Sequence, residues 1–263
     1  MPVELTRTVR FAIGADGSVA DDAPVNNSFA AWPPMRGLGR YYEIHVTCTG
    51  EPDPRTGYLL NIKAIDQAVR QRALGVIAEA TTDPATALGS LMQQLLRSLA
   101  DHLDPSIINV TLQLTPTYAL QMEAGQMDHV LVSQQYEFSA AHRLHVPSLS
   151  DEQNRQTFGK CNNPSGHGHN YRLEVTVRSP LDTSGRIASV EQIDELVDRV
   201  ITERFDHKHL NRDTEEFADI NPSVEHIAKV IYDLLIEPVA AIGLSMACVR
   251  VWETGKTVCT YRG

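Results

Sequence analysis

The chain has 263 residues, enough for one large domain or two small ones, and its 42% hydrophobic and 21% charged content is that of a globular protein in water. Asp and Glu number 33 against 23 Lys and Arg, and the net charge of -10 argues against nucleic acid as a general partner, because phosphate backbones need clustered cations. No apolar run is long enough to cross a bilayer, MPVELTRTVRF lacks the apolar core of a secretory leader, and four scattered cysteines make no disulfide framework, so the expectation is a cytoplasmic protein with no membrane contact.

Read in chain order, the first informative segment runs from Gly37 to Asp66. It opens Gly-x-Gly-x-x-Tyr, alternates apolar and polar positions as far as Val-Thr, passes an Asp-containing loop and a Gly, and ends Ile-Asp. Asp83-Pro84 then precedes a helical stretch, and Ile108 to Leu114 reads as a late strand. The segment from Gly166 to Asp194 repeats the same frame with one single-residue gap. Asn221-Pro222 again precedes a helical stretch, with Asn221 as the expected cap, and Ala247 to Trp252 reads as the late strand. Order and spacing both agree, so the chain reads as a tandem duplication with units 1–126 and 127–263. Each unit reads strand, strand, helix, helix, strand, strand, an α+β fold. In the second unit Val190, Ile193, Val197 and Ile201 have helical spacing, as do Val224, Ile227, Ile231 and Leu234.

Period two also places the polar residues. Phe138, Ala140 and His142 share one face of a strand, and His167, His169 and Tyr171 share one face of the next. If the two strands pair as an antiparallel hairpin, the three imidazoles converge. Three neutral imidazoles and one open position describe a catalytic zinc site. In the first unit the aligned positions are Ala15, Leu38 and Arg40, so the sheet frame stands without a single histidine. Cys161, in the polar loop between the two strands, is left free for chemistry; Cys48, Cys248 and Cys259 lie in apolar strands and read as buried small hydrophobes.

The stretches Phe138-Ser-Ala-Ala-His142, Phe158-Gly-Lys-Cys-Asn-Asn-Pro-Ser-Gly-His-Gly-His-Asn-Tyr171, Phe205-Asp-His-Lys-His-Leu-Asn211, Asn221-Pro-Ser-Val-Glu225 and Trp252-Glu-Thr254 resemble, in order, the motif series of the 6-pyruvoyl-tetrahydropterin synthase / 6-carboxytetrahydropterin synthase family. The resemblance covers essentially the whole second unit. It implies tunnelling-fold (T-fold) units, each a four-stranded antiparallel sheet with two helices. It implies 7,8-dihydroneopterin triphosphate as substrate and a carbon–oxygen lyase reaction that eliminates triphosphate without a redox cofactor. Zn2+ on His142, His167 and His169 would act as a Lewis acid toward the substrate side chain. Cys161 matches the general base, and a nearby cation or donors would lower its thiol from about 8.5 toward neutrality. Asp206 and His207 match the second proton-transfer pair. Glu253 matches the carboxylate that accepts hydrogen bonds from the pterin amino group and ring N–H, and Ser223 either touches the pterin or caps the following helix. Lys160, Arg143 and Arg155 are the cations at hand for the triphosphate.

The first unit lacks these groups. AAWPPMR, before Gly37, has no cysteine, RQRALGVIAEA has no Asp-His pair, and Thr115-Pro116-Thr117 stands near the Glu253 equivalent. It is expected to catalyse nothing. By resemblance, T-fold chains close into stacked rings with sites between subunits, so the expected homo-oligomer is three chains, with one ring of first units on one ring of second units, or a larger number of chains in another arrangement. Two alternatives stand beside the pyruvoyl-forming lyase. One is 6-carboxy-5,6,7,8-tetrahydropterin synthase of queuosine biosynthesis, whose typical members have a shorter Cys-to-His gap than Cys-Asn-Asn-Pro-x-Gly-His-Gly-His. The other is a non-catalytic assembly protein that binds zinc and pterin.

Overall fold

The computed structural model describes residues 2–19, 37–103 and 107–263. AAWPPMR lies outside them. The chain divides into two compact units, Met1–Val132 with Ser179–Ile187, and Ser133–Arg178 with Ala188–Gly263. The Ser179–Ile187 segment, which the sequence repeat assigns to the second half, therefore packs with the first.

The first unit contains β1 (Val3–Gly14), β2 (Gly39–Gly50), α1 (Ile62–Arg72), α2 (Leu74–Ala80), α3 (Leu88–Ala100), β3 (Ile107–Gln113) and β4 (Tyr118–Glu123). Its strands pair antiparallel in the order β1-β2-β3-β4. Alternation decides the faces. Val9, Phe11 and Ile13 of β1 and Tyr42, Ile44 and Val46 of β2 are buried with Ile65, Val69, Met92 and Leu95 from the helices. The first helical stretch is two helices, because the run breaks at Ala73 between α1 and α2. A bidentate Arg7–Asp66 pair, with both contacts at 2.8 Å, ties β1 to α1.

The second unit contains most of β5 (His129–His142), then α4 (Asp151–Phe158), a 3-10 turn Gly159–Asn162, β6 (His167–Pro180) and α5 (Val190–Val197). A π-turn, Asp198–Thr202, leads into α6 (Glu203–Phe205). There follow β7 (Lys208–His209), α7 (Leu210–Asp213), α8 (Val224–Ala241), β8 (Ser245–Thr254) and β9 (Thr257–Tyr261). The strand order is β5-β6-β8-β9, and β7 adds a short parallel pairing to β5. Contacts Ser133–Thr176, Gln135–Glu174 and Ser139–Asn170 run in opposite directions along β5 and β6, so these strands are antiparallel. The loop expected between them contains α4, started by a capping box in which Ser150 and Gln153 exchange bonds. α8 is capped by Ser223 and not by Asn221, whose side chain instead accepts from the His145 N–H at 2.8 Å. Cys48 is buried, whereas Cys248 and Cys259 are only partly so.

The two units agree in detail beyond strand order. β2 against β3 shifts register between Thr47 and Cys48, and β6 against β8 shifts between Thr176 and Val177, the aligned positions of the two Val-Thr segments. Each Thr meets a hydroxyl on the preceding strand at 2.9 Å, Thr6 to Thr47 and Ser133 to Thr176. In each Ile-Asp pair the Ile is buried and the Asp bonds the first strand of its own unit, Asp66 to Arg7 and Asp194 to the Tyr136 hydroxyl at 2.9 Å.

Candidate active site

β5 ends at His142 and β6 begins at His167, so the antiparallel pairing brings the two together. Their Nε2 atoms are 3.1 Å apart. His169, two residues along the same face of β6, completes a group whose ligand atoms all lie within 4.8 Å of one another. The glycine before His167 is a steric requirement. Gly166 has φ +75°, and a Cβ there would lie 2.7 Å from His209 Nε2 and 2.9 Å from the His142 carbonyl oxygen. At Gly168 an added Cβ would make only ordinary contact, so the second glycine of the motif has no such need.

The tautomer of His142 is fixed. Its Nδ1 lies 2.7 Å from the Pro222 carbonyl, which can only accept, so Nδ1 carries the proton and Nε2 presents a lone pair. Burial pushes the His142 pKa down to about 4, with the neighbouring imidazoles adding to that shift. Burial also lowers His167. His142 and His167 are thus held in the neutral, ligating form. Nε2 of His169 and Nδ1 of His167 are sealed from solvent and have no hydrogen-bond partner. An unpartnered ring nitrogen facing two converging nitrogens is what a cation site offers, and the all-imidazole donor set fits Zn2+.

Glu253, near the end of β8, is on the edge of this cluster. Its Oε1 is 3.6 Å from His142 Nε2 and 3.8 Å from His169 Nε2, and its side chain is 21% exposed. Cys161, half-buried in the 3-10 turn, is nearby. Its carbonyl accepts from the Leu144 N–H at 2.9 Å, and Asn162 beside it is buried with its amide donating to the Leu144 carbonyl at 2.7 Å. The thiol's surroundings differ from the sequence expectation: burial and the charge of Glu253 push its pKa up, where a cation would have lowered it. Two of the cations expected for phosphate have partners in the loop. Arg143 donates from Nε to the Asn162 carbonyl at 3.2 Å, and Arg155 pairs with Glu152 at 2.8 Å.

Asp206 and His207 follow α6 and are fastened to β5. The Ser139 N–H donates to Asp206 Oδ1 at 2.7 Å, and the His207 N–H donates to the Ser139 carbonyl at 2.6 Å. Asp206 Oδ2 accepts from His207 Nδ1 at 2.7 Å. The Ser139 N–H, and then His207, hold the Asp206 carboxyl below the usual range. His207 has φ +56°, the only positive φ at a non-glycine among the described residues, a conformation that costs about 1–3 kcal/mol and persists where surrounding contacts enforce it. Its imidazole is 83% exposed. It opens onto a cavity of about 800 Å3 lined also by Ser139, Gly168, His169, Asn170 and His209. Cys161 does not line that cavity. His169 is the residue that belongs both to the three-histidine cluster and to the cavity beside His207.

Ser223 accepts from the His226 N–H at 3.4 Å as the cap of α8 and does not line the cavity. Two features escape sequence reasoning. The Pro222 carbonyl is a backbone group with no side-chain signal. His209, both of whose ring nitrogens are buried without a partner, reaches the site because a two-residue strand pairs with Ala140 and Ala141, too short a pairing to be seen as periodicity.

A family model described as 6-pyruvoyl tetrahydropterin synthase matches residues 131–263, which include every residue of this site. The 6-pyruvoyl tetrahydrobiopterin synthase of Drosophila melanogaster is 43% identical over 127 residues, spanning 48% of this chain and 75% of that protein. That of Homo sapiens is 39% identical over 140 residues, spanning 53% of this chain and 95% of that protein. The 6-carboxy-5,6,7,8-tetrahydropterin synthase of Haemophilus influenzae is 26% identical over 152 residues, spanning 50% of this chain and 97% of that protein.

Proposed function

The chain belongs to the 6-pyruvoyl tetrahydropterin synthase family, and from that premise we propose that its second unit is a zinc-dependent lyase that converts 7,8-dihydroneopterin triphosphate to a 6-pyruvoyl tetrahydropterin with loss of triphosphate. The observation that carries the proposal is the convergence of His142, His167 and His169, with Glu253 on the rim and Cys161 beside it. The pyruvoyl product is preferred to the carboxy product because the relatives named for it are 43% and 39% identical, against 26% for the carboxy synthase. The agreement of register shifts, hydroxyl pairs and Ile-Asp contacts supports an origin by tandem duplication, with T-fold units throughout.

Bound zinc would supply Lewis acidity toward the oxygens of the substrate side chain. The chain's own residues divide the remaining work. Glu253 accepts two hydrogen bonds from the pterin's amino group and ring N–H, as a carboxylate does from any two-donor edge. Those bonds spread the charge of Glu253, and its charge is one of the two causes that keep the Cys161 proton in place. Substrate binding therefore lowers the thiol toward the range of a useful base. On the other side of His169, Asp206 keeps the proton of His207 on Nδ1 and leaves Nε2 to accept or return one. Cys161 and His207 open to different surroundings within one chain, and the proposed assembly of three chains completes the site. A solution mass of one or two chains contradicts that assembly.

The test is to incubate zinc-loaded protein with 7,8-dihydroneopterin triphosphate and identify products by mass. A 6-pyruvoyl tetrahydropterin with free triphosphate is the expected result. A carboxy side chain moves the protein to the other branch, and unchanged substrate refutes the lyase.

A further inference from the structure

Beyond His142 the chain leaves the sheet, yet the backbone of its next residues is held as firmly as a strand, by side-chain amides. The Arg143 N–H donates to Asn211 Oδ1 at 2.8 Å, and its carbonyl accepts from Asn211 Nδ2 at 3.0 Å. The His145 N–H donates to Asn221 Oδ1 at 2.8 Å, and Val146 exchanges two bonds with Asn154, at 2.8 and 3.0 Å. An asparagine amide carries donor and acceptor side by side, so it can replace a missing strand partner.

Between these, Leu144 is held by the turn that carries Cys161. Its N–H donates to the Cys161 carbonyl at 2.9 Å, and its carbonyl accepts from Asn162 Nδ2 at 2.7 Å. A carbonyl can only accept, so the nitrogen end of the Asn162 amide faces it. The second hydrogen of that nitrogen goes to His145 Nδ1 at 3.0 Å, which is thereby the bare ring nitrogen. The Asn162 carbonyl in turn accepts from Arg143 Nε at 3.2 Å. Asn162 is thus bonded to each of the three residues that follow His142.

The asparagines of this frame hold different things. Asn154, fully buried, bonds to Val146, Leu149 and Ser150, and so closes the loop on itself. Asn162, 8% exposed, joins two functional pieces, the turn of the thiol and the backbone that leaves a metal ligand. That backbone is fixed on its far side too, since Asn221, which takes the His145 N–H, precedes the Pro222 carbonyl that orients His142.

We propose that Asn162 is a positioning residue for the proton transfer at Cys161: its amide sets the turn of the thiol at a fixed place relative to His142. The inference rests on the lyase reading, in which that thiol is the base. A base must stand within hydrogen-bond reach of the proton it removes, and a misplacement of about 1 Å costs up to about 10²-fold. Asn162 acts through the turn and not on the substrate.

The test begins with turnover of 7,8-dihydroneopterin triphosphate by the zinc-loaded full-length chain, which examines the lyase reading by itself. Asn162→Ala then keeps its zinc, keeps KM within about twofold and lowers kcat by about 10- to 100-fold. Iodoacetamide, followed by peptide mass, alkylates Cys161 faster in that variant, because the released turn relieves the burial that holds the thiol proton. Alkylation needs no turnover, so it tests the hold on the thiol even where the lyase reading fails. Asn154→Ala is the control: it lowers the melting temperature and leaves kcat and alkylation unchanged. If Asn162→Ala folds poorly, His145→Phe decides, since it removes one acceptor of the Asn162 amide without altering the turn and shifts kcat and alkylation in the same directions by smaller factors. Unchanged kcat and alkylation in the folded, zinc-bound variant, or equal changes in Asn154→Ala, overturn the proposal.

Discussion

The two units differ least where the fold makes demands and most where strands end. Both keep the strand order, the register shift after Val-Thr, the cross-strand hydroxyl pair and the Asp that ties a helix to the first strand. At the strand ends His142, His167 and His169 of one unit align in sequence with Ala15, Leu38 and Arg40 of the other, and Leu38 is 91% exposed. A three-imidazole cluster with unpartnered ring nitrogens is therefore no requirement of this sheet. It costs stability in one unit, and the other unit shows the same frame closing without it.

The strongest way to break this comparison is to remove a ligand. His167→Ala is expected to lose bound zinc and all product formation, whereas Arg40→Ala at the aligned place of His169 leaves both unchanged; metal analysis and product assay on the same samples decide. Cys161→Ala should keep its zinc and lose about 10²–10⁴-fold in turnover, the usual contribution of a general base. Loss of zinc in that variant would make the cysteine a ligand and not a base.

Acid sharpens the contrast in the metal-free chain. His142 titrates at about 4 folded and near its ordinary 6.5 unfolded. Between these values the unfolded chain binds more protons, so stability rises with pH there and is lost as pH falls from 6.5 to 4. The loss from His142 is at most about 3 kcal/mol, and denaturant midpoints across that window should flatten in His142→Phe. The smallest effect concerns what the units share. Thr47→Val and Thr176→Val should each cost about 1 kcal/mol, the worth of one hydrogen bond, and unequal losses would show that the two hydroxyl pairs are not equivalent.

The faces of the strands were legible because burial on one side of a sheet forces period two, and that carried the histidine cluster as well. Glu253 was reachable only through a family motif, since nothing in the alternation of β8 marks its carboxylate as facing two imidazoles. The charge around Cys161 was misjudged because it comes from Glu253, distant in sequence. α4 carried its own signal in Ser150-x-x-Gln153, which the polar composition of the loop obscured.

The central claim is that one unit holds the metal and the other does not. Zinc content of the saturated, dialysed chain, with X-ray absorption at the zinc edge, tests it most directly. The account predicts one zinc per chain with three imidazole nitrogens and no sulfur in its shell. Two zinc ions per chain, or a thiolate ligand, would contradict it.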